Sequence, residues 1–340
     1  MDILFIGGTG VISSAVSERV IAQGHTLYLL NRGNRTAFIP EGAKLLQGDI
    51  RDEASIRELL SGRSFDAVVN WISYVPEHVE ADIRLFSGIT GQYVFISSAS
   101  AYQKPPASPF ITEETPLANP FWDYSRNKIA CEDILLRAYG QNGFPVTIVR
   151  PSHTYGIDKL PTAFNSRKHQ WSILERMRQG KKIIVPGDGT SLWVLTHNTD
   201  FAVAFAGLLG RKEAIGEAYQ ITSDEVLTWD QITRYLGAAA GYEPDLLHLS
   251  ADFMTGCLPA LHSELVGDKL NSVCFDNSKI KALVPEYRAV KRFEEGIRES
   301  VDWYRSQPEL LILDEEWDVL CDRLVAAHEA GLAYFKQSAQ

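Results

Sequence analysis

The first thirteen residues, Met1-Asp-Ile-Leu-Phe-Ile-Gly-Gly-Thr-Gly-Val-Ile-Ser13, constrain this chain more than any other stretch. An apolar run from Ile3 to Ile6 fits a strand covered on both faces. It breaks at once into Gly7, Gly8 and Gly10, and a helical pattern follows from Val11 to Ala22. Strand, glycine turn and helix in this order are the context in which a loop holds a dinucleotide pyrophosphate. Glycine lets the backbone approach the phosphates, and the helix start offers free N–H groups and a favourable dipole. Gly7, Gly10, Val11 and Ile12 are the expected cradle. The spacing Gly7-x-x-Gly10-x-x-Ser13 departs from the usual pattern at its third position, where serine replaces glycine.

Strand-like and helix-like segments alternate beyond this start. The strand candidates are 3–6, 26–30, 43–47, 67–70, 93–97 and 146–150, with helices expected at 13–23, 53–60, 77–86 and 122–142. This rhythm predicts an α/β fold, a Rossmann-type doubly wound parallel sheet with a smaller C-terminal substrate lobe. Residues 1–155 form the dinucleotide-binding part, with later returns near 197–240. Residues 156–196 and 241–300 form the lobe, and 301–340 form C-terminal helices. Asp52 or Ser55 can cap the helix beginning near Glu53. The Pro-rich stretch from Lys104 to Pro120 is too long for a simple connection and is expected to border a site.

The chain carries 33 Lys and Arg against 43 Asp and Glu, a net charge of −10. Phosphate backbones and anionic membranes demand clustered cations, so neither nucleic acid nor membrane is an expected partner. The four cysteines are scattered with no Cys-x-x-Cys pair, which suits a reducing, cytoplasmic setting. The histidines show no His-x-x-x-His spacing, and no metal site is expected. A strand at the N-terminus leaves no room for a signal peptide.

The chemistry gathers around Tyr124-Ser-Arg-Asn-Lys128. Four residues apart on a helix, Tyr124 and Lys128 share a face. A free tyrosine is a poor base near neutrality, and a neighbouring ammonium favours its phenolate. Such a pair can move a proton at a carbinol while a nicotinamide moves the hydride. Earlier, Tyr93-Val-Phe-Ile-Ser-Ser98 reads as a strand ending in hydroxyls. Ligands sit at strand C-terminal ends in such sheets, so Ser98 can bond the substrate oxygen that Tyr124 protonates.

With these pieces the chain resembles an extended short-chain dehydrogenase/reductase of the NAD-dependent epimerase/dehydratase type. The likeness is carried by Gly7-Gly-Thr-Gly10, Gly48-Asp-Ile-Arg-Asp52, Ser97-Ser-Ala-Ser-Ala-Tyr102, Tyr124-x-x-x-Lys128 and Arg150-Pro-Ser-His-Thr-Tyr-Gly156. Val185-Pro-Gly-Asp-Gly189, His197-Asn-Thr-Asp200 and Asp276-Asn-Ser-Lys279 extend it to about residue 300. The resemblance implies Ser98, Tyr124 and Lys128 as catalytic triad and NAD or NADP as cofactor. It also implies Asp49 and Ile50 beside the adenine, Lys128 on the nicotinamide ribose, and Pro151 to His153 along the nicotinamide. Ser98, Ser100, His153 and Trp193 are the candidate substrate contacts, and similar proteins are often homodimers.

Four departures qualify the likeness. The strand 26–30 ends in Asn31-Arg32 with no carboxylate, compatible with NADP without excluding NAD; Arg32 and Arg35 can equally be solvated. Ala99 and Ser100 stand where dehydratases of the family carry acids, which disfavours sugar dehydration. Trp193 occupies the place of a diphosphate-clamping arginine, where it can stack on a sugar or pack in the core. Leu265, Val266 and Lys269 stand where a second arginine is expected. Finally, the asparagine that often supports an active-site water is not identifiable before Tyr93. The expectation is an NAD(P)-dependent oxidoreductase or epimerase, similar to nucleotide-sugar epimerases, acting on a secondary alcohol or ketone of a sugar, nucleotide sugar or sugar-like molecule. An NADP-dependent reductase of a non-nucleotide substrate and a non-catalytic dinucleotide-sensing or RNA-associated protein are the alternatives.

Overall fold

Seven parallel strands form the central sheet of the computed structural model, which describes residues 1–34 and 39–338. They are β1 (Asp2–Ile6), β2 (Thr26–Asn31), β3 (Lys44–Gln47), β4 (Ala67–Asn70), β5 (Tyr93–Ile96), β6 (Val146–Pro151) and β7 (Ala218–Ile221). The spatial order is β3-β2-β1-β4-β5-β6-β7. Ile3 lies opposite Leu27 on one side and Ala67 on the other. The order reverses between β1 and β4, which opens a crevice at the strand C-terminal ends.

The central strands are apolar throughout because helices cover both faces. On one face α1 (Val11–Ala22) packs with the helix Asn198–Leu208, and Phe5, Val16, Phe201 and Phe205 are fully buried. On the other lie α2 (Glu53–Leu59), α3 (Pro76–Phe86) and α4 (Asp123–Asn142), closing over Leu4, Val68, Phe95 and Ile148. Asp52 caps α2 by accepting from Ser55 N–H, and Gly143 ends α4 in the left-handed conformation.

The chain divides into two compact units. The first comprises Met1–Thr154, Leu195–Asp224 and Phe275–Val290; the second comprises Tyr155–Val194, Glu225–Cys274 and Lys291–Gln340. This corrects the expected division in two places. The helix Trp229–Ala240 packs on Phe293–Arg305 and belongs to the second unit. Residues 275–290 return to the first, where Ile280, Val284 and Tyr287 enter the core. Asn277 donates to Thr222 O at 2.9 Å and Tyr287 OH to the same oxygen at 2.7 Å, tying this return to the end of β7.

Within the second unit, Ile183–Pro186 pairs in parallel with Leu246–Leu249. That second strand and the helix Ala251–Cys257 lie in the 241–300 stretch, for which the sequence suggests no elements. Buried Arg176 holds the helix Glu315–Ser338 through Asp318 and Asp322. Among the described residues, no helix is long and apolar enough to cross a membrane, and no group of three metal-ligating side chains gathers.

Candidate active site

Gly7 and Gly8 turn the chain out of β1 with φ of +96° and +91°. A Cβ on Gly8 would come within 2.6 Å of Leu29, so the turn needs glycine for space as well as conformation. Ser13, at the third position of the motif, accepts from Gly10 N–H at 2.8 Å and closes the start of α1. The turn opens onto a cavity of about 450 Å³ whose lining includes Gly7, Thr9, Asn31, Arg32, Asp49 and Ile50. Asn34, Arg51, Ile72 and Tyr74 complete much of the wall. The residues fit a dinucleotide: a glycine turn, a space at the switch point of the sheet, and mixed polar and apolar walls.

Asn31, Arg32, Asp49 and Ile50 thus share one cavity. Gly10, Val11 and Ile12 form the cap and first turn of α1 and are not in its lining, nor are Lys128, Pro151 and His153. The Asn31 side chain accepts from Gly33 N–H at 2.9 Å, which fixes it in the turn after β2. Arg51 donates to Ile72 O at 2.6 Å across the cavity wall. Arg35 lies outside the described residues. Tyr74 and Arg51 escaped the sequence reading. Arg51 sits within the quoted Gly48-to-Asp52 motif, but no periodicity or motif signals Tyr74.

The second group is built where β4 and β5 end. Lys128, fourth after Tyr124 on α4, is 2% exposed and donates to Ser73 O and Ile96 O, each at 2.6 Å. Two of its three N–H donors are thereby spent on backbone carbonyls, one in the loop after β4 and one at the end of β5. Its ammonium lies 4.7 Å from the Phe95 ring centre, 4.9 Å from that of Tyr74 and 5.7 Å from that of Tyr124. Burial pulls the Lys128 pKa down to about 8, against the opposing pull of nearby Cys131 and Glu132. Tyr74 therefore belongs to both groups, lining the cavity and facing the lysine.

Ser98 follows β5 and caps the short turn Ala99–Ala101. Its Oγ accepts from Ser100 N–H at 3.1 Å and lies 2.9 Å from Ser100 Oγ. Ser100 itself is 4% exposed, bonded to Ser125 and Asn119, so it supports Ser98 from behind instead of facing a ligand. This corrects its expected role as a substrate contact. Trp193 is corrected too: it is 3% exposed, its ring 5.2 Å from that of Trp229 in the core of the second unit. His153 is half-buried at the end of the first unit. His197 caps the helix Asn198–Leu208 by accepting from Thr199 N–H at 3.3 Å.

Two buried polar clusters brace these elements. Arg150 on β6 meets Glu132 on α4 through Nη2–Oε2 at 2.6 Å and Nε–Oε1 at 3.1 Å, and Ser97 donates to the same carboxylate. Asp82 on α3 accepts from Asn70, Ser73 and Tyr93 at 2.6–2.7 Å, all on one oxygen. Burial pushes the Asp82 carboxyl up despite these donors, and its other oxygen has no hydrogen-bond partner among the described residues. In the second unit Lys269 is bonded to Glu264 at 2.6 Å and to Ala163 O at 3.0 Å.

The sequence matches the NAD dependent epimerase/dehydratase family over residues 3–222. The chain belongs to this family. Membership makes it a member of an NAD-dependent enzyme family. Chloroplast stem-loop binding protein of 41 kDa b from Arabidopsis thaliana is 29% identical over 261 residues, 72% of this chain. The match spans 65% of that relative, a little under two thirds of its length. UDP-glucose 4-epimerase of Lactobacillus helveticus is 25% identical over 91% of this chain and 98% of its own. The 2'-dehydrokanamycin reductase of Streptomyces kanamyceticus is 23% identical over 85% and 80%. In fold, the chain is similar to dTDP-glucose 4,6-dehydratase from Bacillus anthracis, solved in complex with NAD. The TM-score is 0.72 at 21% identity, over 91% of this chain and 98% of that one.

Proposed function

We propose that this enzyme carries out NAD(P)-dependent redox chemistry at a secondary alcohol or ketone of a sugar or sugar-like substrate. Tyr124 is the general acid/base, Lys128 its electrostatic support, and Ser98 the donor to the reacting oxygen. The observation that carries the reading is the buried Lys128 ammonium, held between the ends of β4 and β5 with the Tyr124 ring 5.7 Å away. A buried cation there favours phenolate over phenol. When bound, the dinucleotide accepts or returns the hydride. In oxidation, the Tyr124 phenolate oxygen takes the carbinol proton; in reduction, the phenol returns it. The Ser98 hydroxyl donates to the oxygen on which charge develops.

Two versions of the chemistry stand. An epimerase oxidises a carbinol and returns the hydride to the other face of the ketone, and the family and the UDP-glucose 4-epimerase relative support it. A reductase exchanging NADP is supported by the carboxylate-free end of β2, with Asn31 and Arg32 lining the cavity, and by the 2'-dehydrokanamycin reductase relative. Lys269, bonded to Glu264, and the buried Trp193 offer no diphosphate clamp, which favours a substrate other than a nucleotide sugar. Mass spectrometry of small molecules released on denaturation separates the versions: retained dinucleotide marks the epimerase, an empty protein the reductase.

Tyr124→Phe tests the mechanism common to both. Loss of the proton-transferring group lowers kcat by about 10²–10⁴-fold, while dinucleotide affinity measured by titration stays within twofold or so. Unchanged turnover overturns the mechanism. A second reading, an RNA-associated protein, is supported by the relative named a stem-loop binding protein.

A further inference from the structure

We propose that Asn119, Ser125 and Ser100 form a one-way chain of hydrogen bonds that leaves the Ser98 hydroxyl as a donor. Ser100, Ser125 and Asn119 are then positioning residues acting through Ser98. The inference rests on the reading of Ser98 given above.

The direction follows from counting hydrogens. Asn119 Oδ1 accepts from Phe121 N–H at 3.1 Å, and its Nδ2 donates to Ser100 O at 2.8 Å. These two partners, one an obligate donor and the other an obligate acceptor, fix which end of the amide carries the hydrogens. A second N–H of Nδ2 reaches Ser125 Oγ at 3.3 Å. A serine hydroxyl has one hydrogen. That of Ser125 goes to Ser100 Oγ at 2.8 Å. Ser100 Oγ is then an acceptor there, and we assign its own hydrogen to Ser98 Oγ, 2.9 Å away, where the distance alone allows either donor. Ser98 Oγ also accepts from Ser100 N–H at 3.1 Å. Both of its acceptor positions are filled from behind, and its hydrogen is the one left to face a ligand.

Burial keeps this order. Asn119, Ser100 and Ser125 are 2%, 4% and 0% exposed, so water does not compete for the links. In such surroundings successive hydrogen bonds polarise one another in the same sense. A Ser98 hydrogen turned back toward Ser100 would present only lone pairs to a carbonyl or alkoxide oxygen, and the contact would repel. The chain also joins the two catalytic elements. Ser125 follows Tyr124 directly on α4, whereas Ser98 and Ser100 leave the end of β5. Ser100 stands where related dehydratases carry an acid, and here its hydroxyl serves orientation in place of acid chemistry.

The test has a kinetic and a direct arm. Conversion of UDP-galactose to UDP-glucose, and reduction of 2'-dehydrokanamycin with NADPH, are followed for the wild type, Ser98→Ala, Ser100→Ala and the double variant. The expected result is a fall in kcat of about tenfold or more for Ser100→Ala with the dinucleotide KM unmoved, since a misdirected donor fails only at the reacting oxygen. The double variant falls no further than Ser98→Ala alone, and Ser100→Thr, which keeps the hydroxyl, recovers most of the rate. Additive losses, or a full rate in Ser100→Ala, overturn the proposal. The direct arm is neutron diffraction from the perdeuterated protein with its dinucleotide bound. Deuterons on the Ser125–Ser100 and Ser100–Ser98 lines, with the Ser98 deuteron outward, support the proposal, and a Ser98 deuteron aimed at Ser100 overturns it. A wild type inert toward both substrates and unable to bind NAD or NADP overturns the redox reading, and the neutron map still decides the hydroxyl order.

Discussion

Lys128 carries two opposed demands. The proposed chemistry needs its charge, and its burial disfavours that charge, with a pKa near 8 against 10.5 when solvated. Between those values the unfolded chain binds a proton that the folded lysine has released. Stability contributed by this group therefore rises with pH across that window and is lowest below pH 8. Relative to Lys128→Met, which has nothing to titrate, the wild type should gain about 2 kcal/mol between pH 7 and 9.5. Urea denaturation of both proteins at the two pH values measures it, and a pH-independent difference excludes the shifted lysine. The spacing of Tyr124 and Lys128 was readable from helix geometry alone. The two carbonyls that hold the ammonium, from Ser73 and Ile96, were not, because a backbone oxygen has no signature in residue type. Ser100 was misread for a related reason: its hydroxyl accepts from Ser125, 25 residues away, and its backbone carbonyl from Asn119, 19 residues away.

Elements were legible wherever burial imposed one period or one continuous apolar run. The strand β4 carries the expected bounds, and β1, β2, β3, β5 and β6 differ from theirs by one residue or so. The strand Leu246–Leu249 was missed because it is a short pair with Ile183–Pro186 and includes an exposed histidine, His248. The return of residues 275–290 to the first unit was hidden for another reason. It depends on Asn277 and Tyr287 bonding Thr222, contacts of long sequence separation. Element packing also rests on one buried ion pair. Glu132 on α4 and Arg150 on β6 have side chains 1% and 5% exposed, and Arg150 is held firmly protonated by that carboxylate. Breaking one partner strands the other charge, so Glu132→Gln should cost about 3–5 kcal/mol. Chemical denaturation checks it. A loss below about 1 kcal/mol would mean that the pair is as weak as a surface contact.

At the scale of the whole molecule, charge decides between the enzyme and the RNA-associated reading. The net charge is −10, and the adjacent cations Arg167-Lys168 and Lys181-Lys182 are ion-paired within the second unit. Arg167 meets Glu264, Lys168 meets Glu316, Lys181 meets Asp318 and Asp322, and Lys182 meets Asp245. A phosphate backbone would have to displace these carboxylates and overcome long-range repulsion. The redox reading therefore expects no phosphate-dependent RNA affinity. Each neutralised phosphate would contribute roughly 0.7–0.9 to the slope of log K against log salt. Titrating a labelled RNA hairpin between 50 and 200 mM salt should yield no saturable binding, whereas NAD or NADP added to the same protein should bind and raise its melting temperature. Saturable RNA binding with a steep negative slope would show that an exposed cationic surface outweighs the net charge, and would favour the RNA-associated reading over the enzyme. Dinucleotide stabilisation without RNA binding assigns the cavity beside Gly7 to the cofactor and supports the enzyme reading over the RNA-associated one.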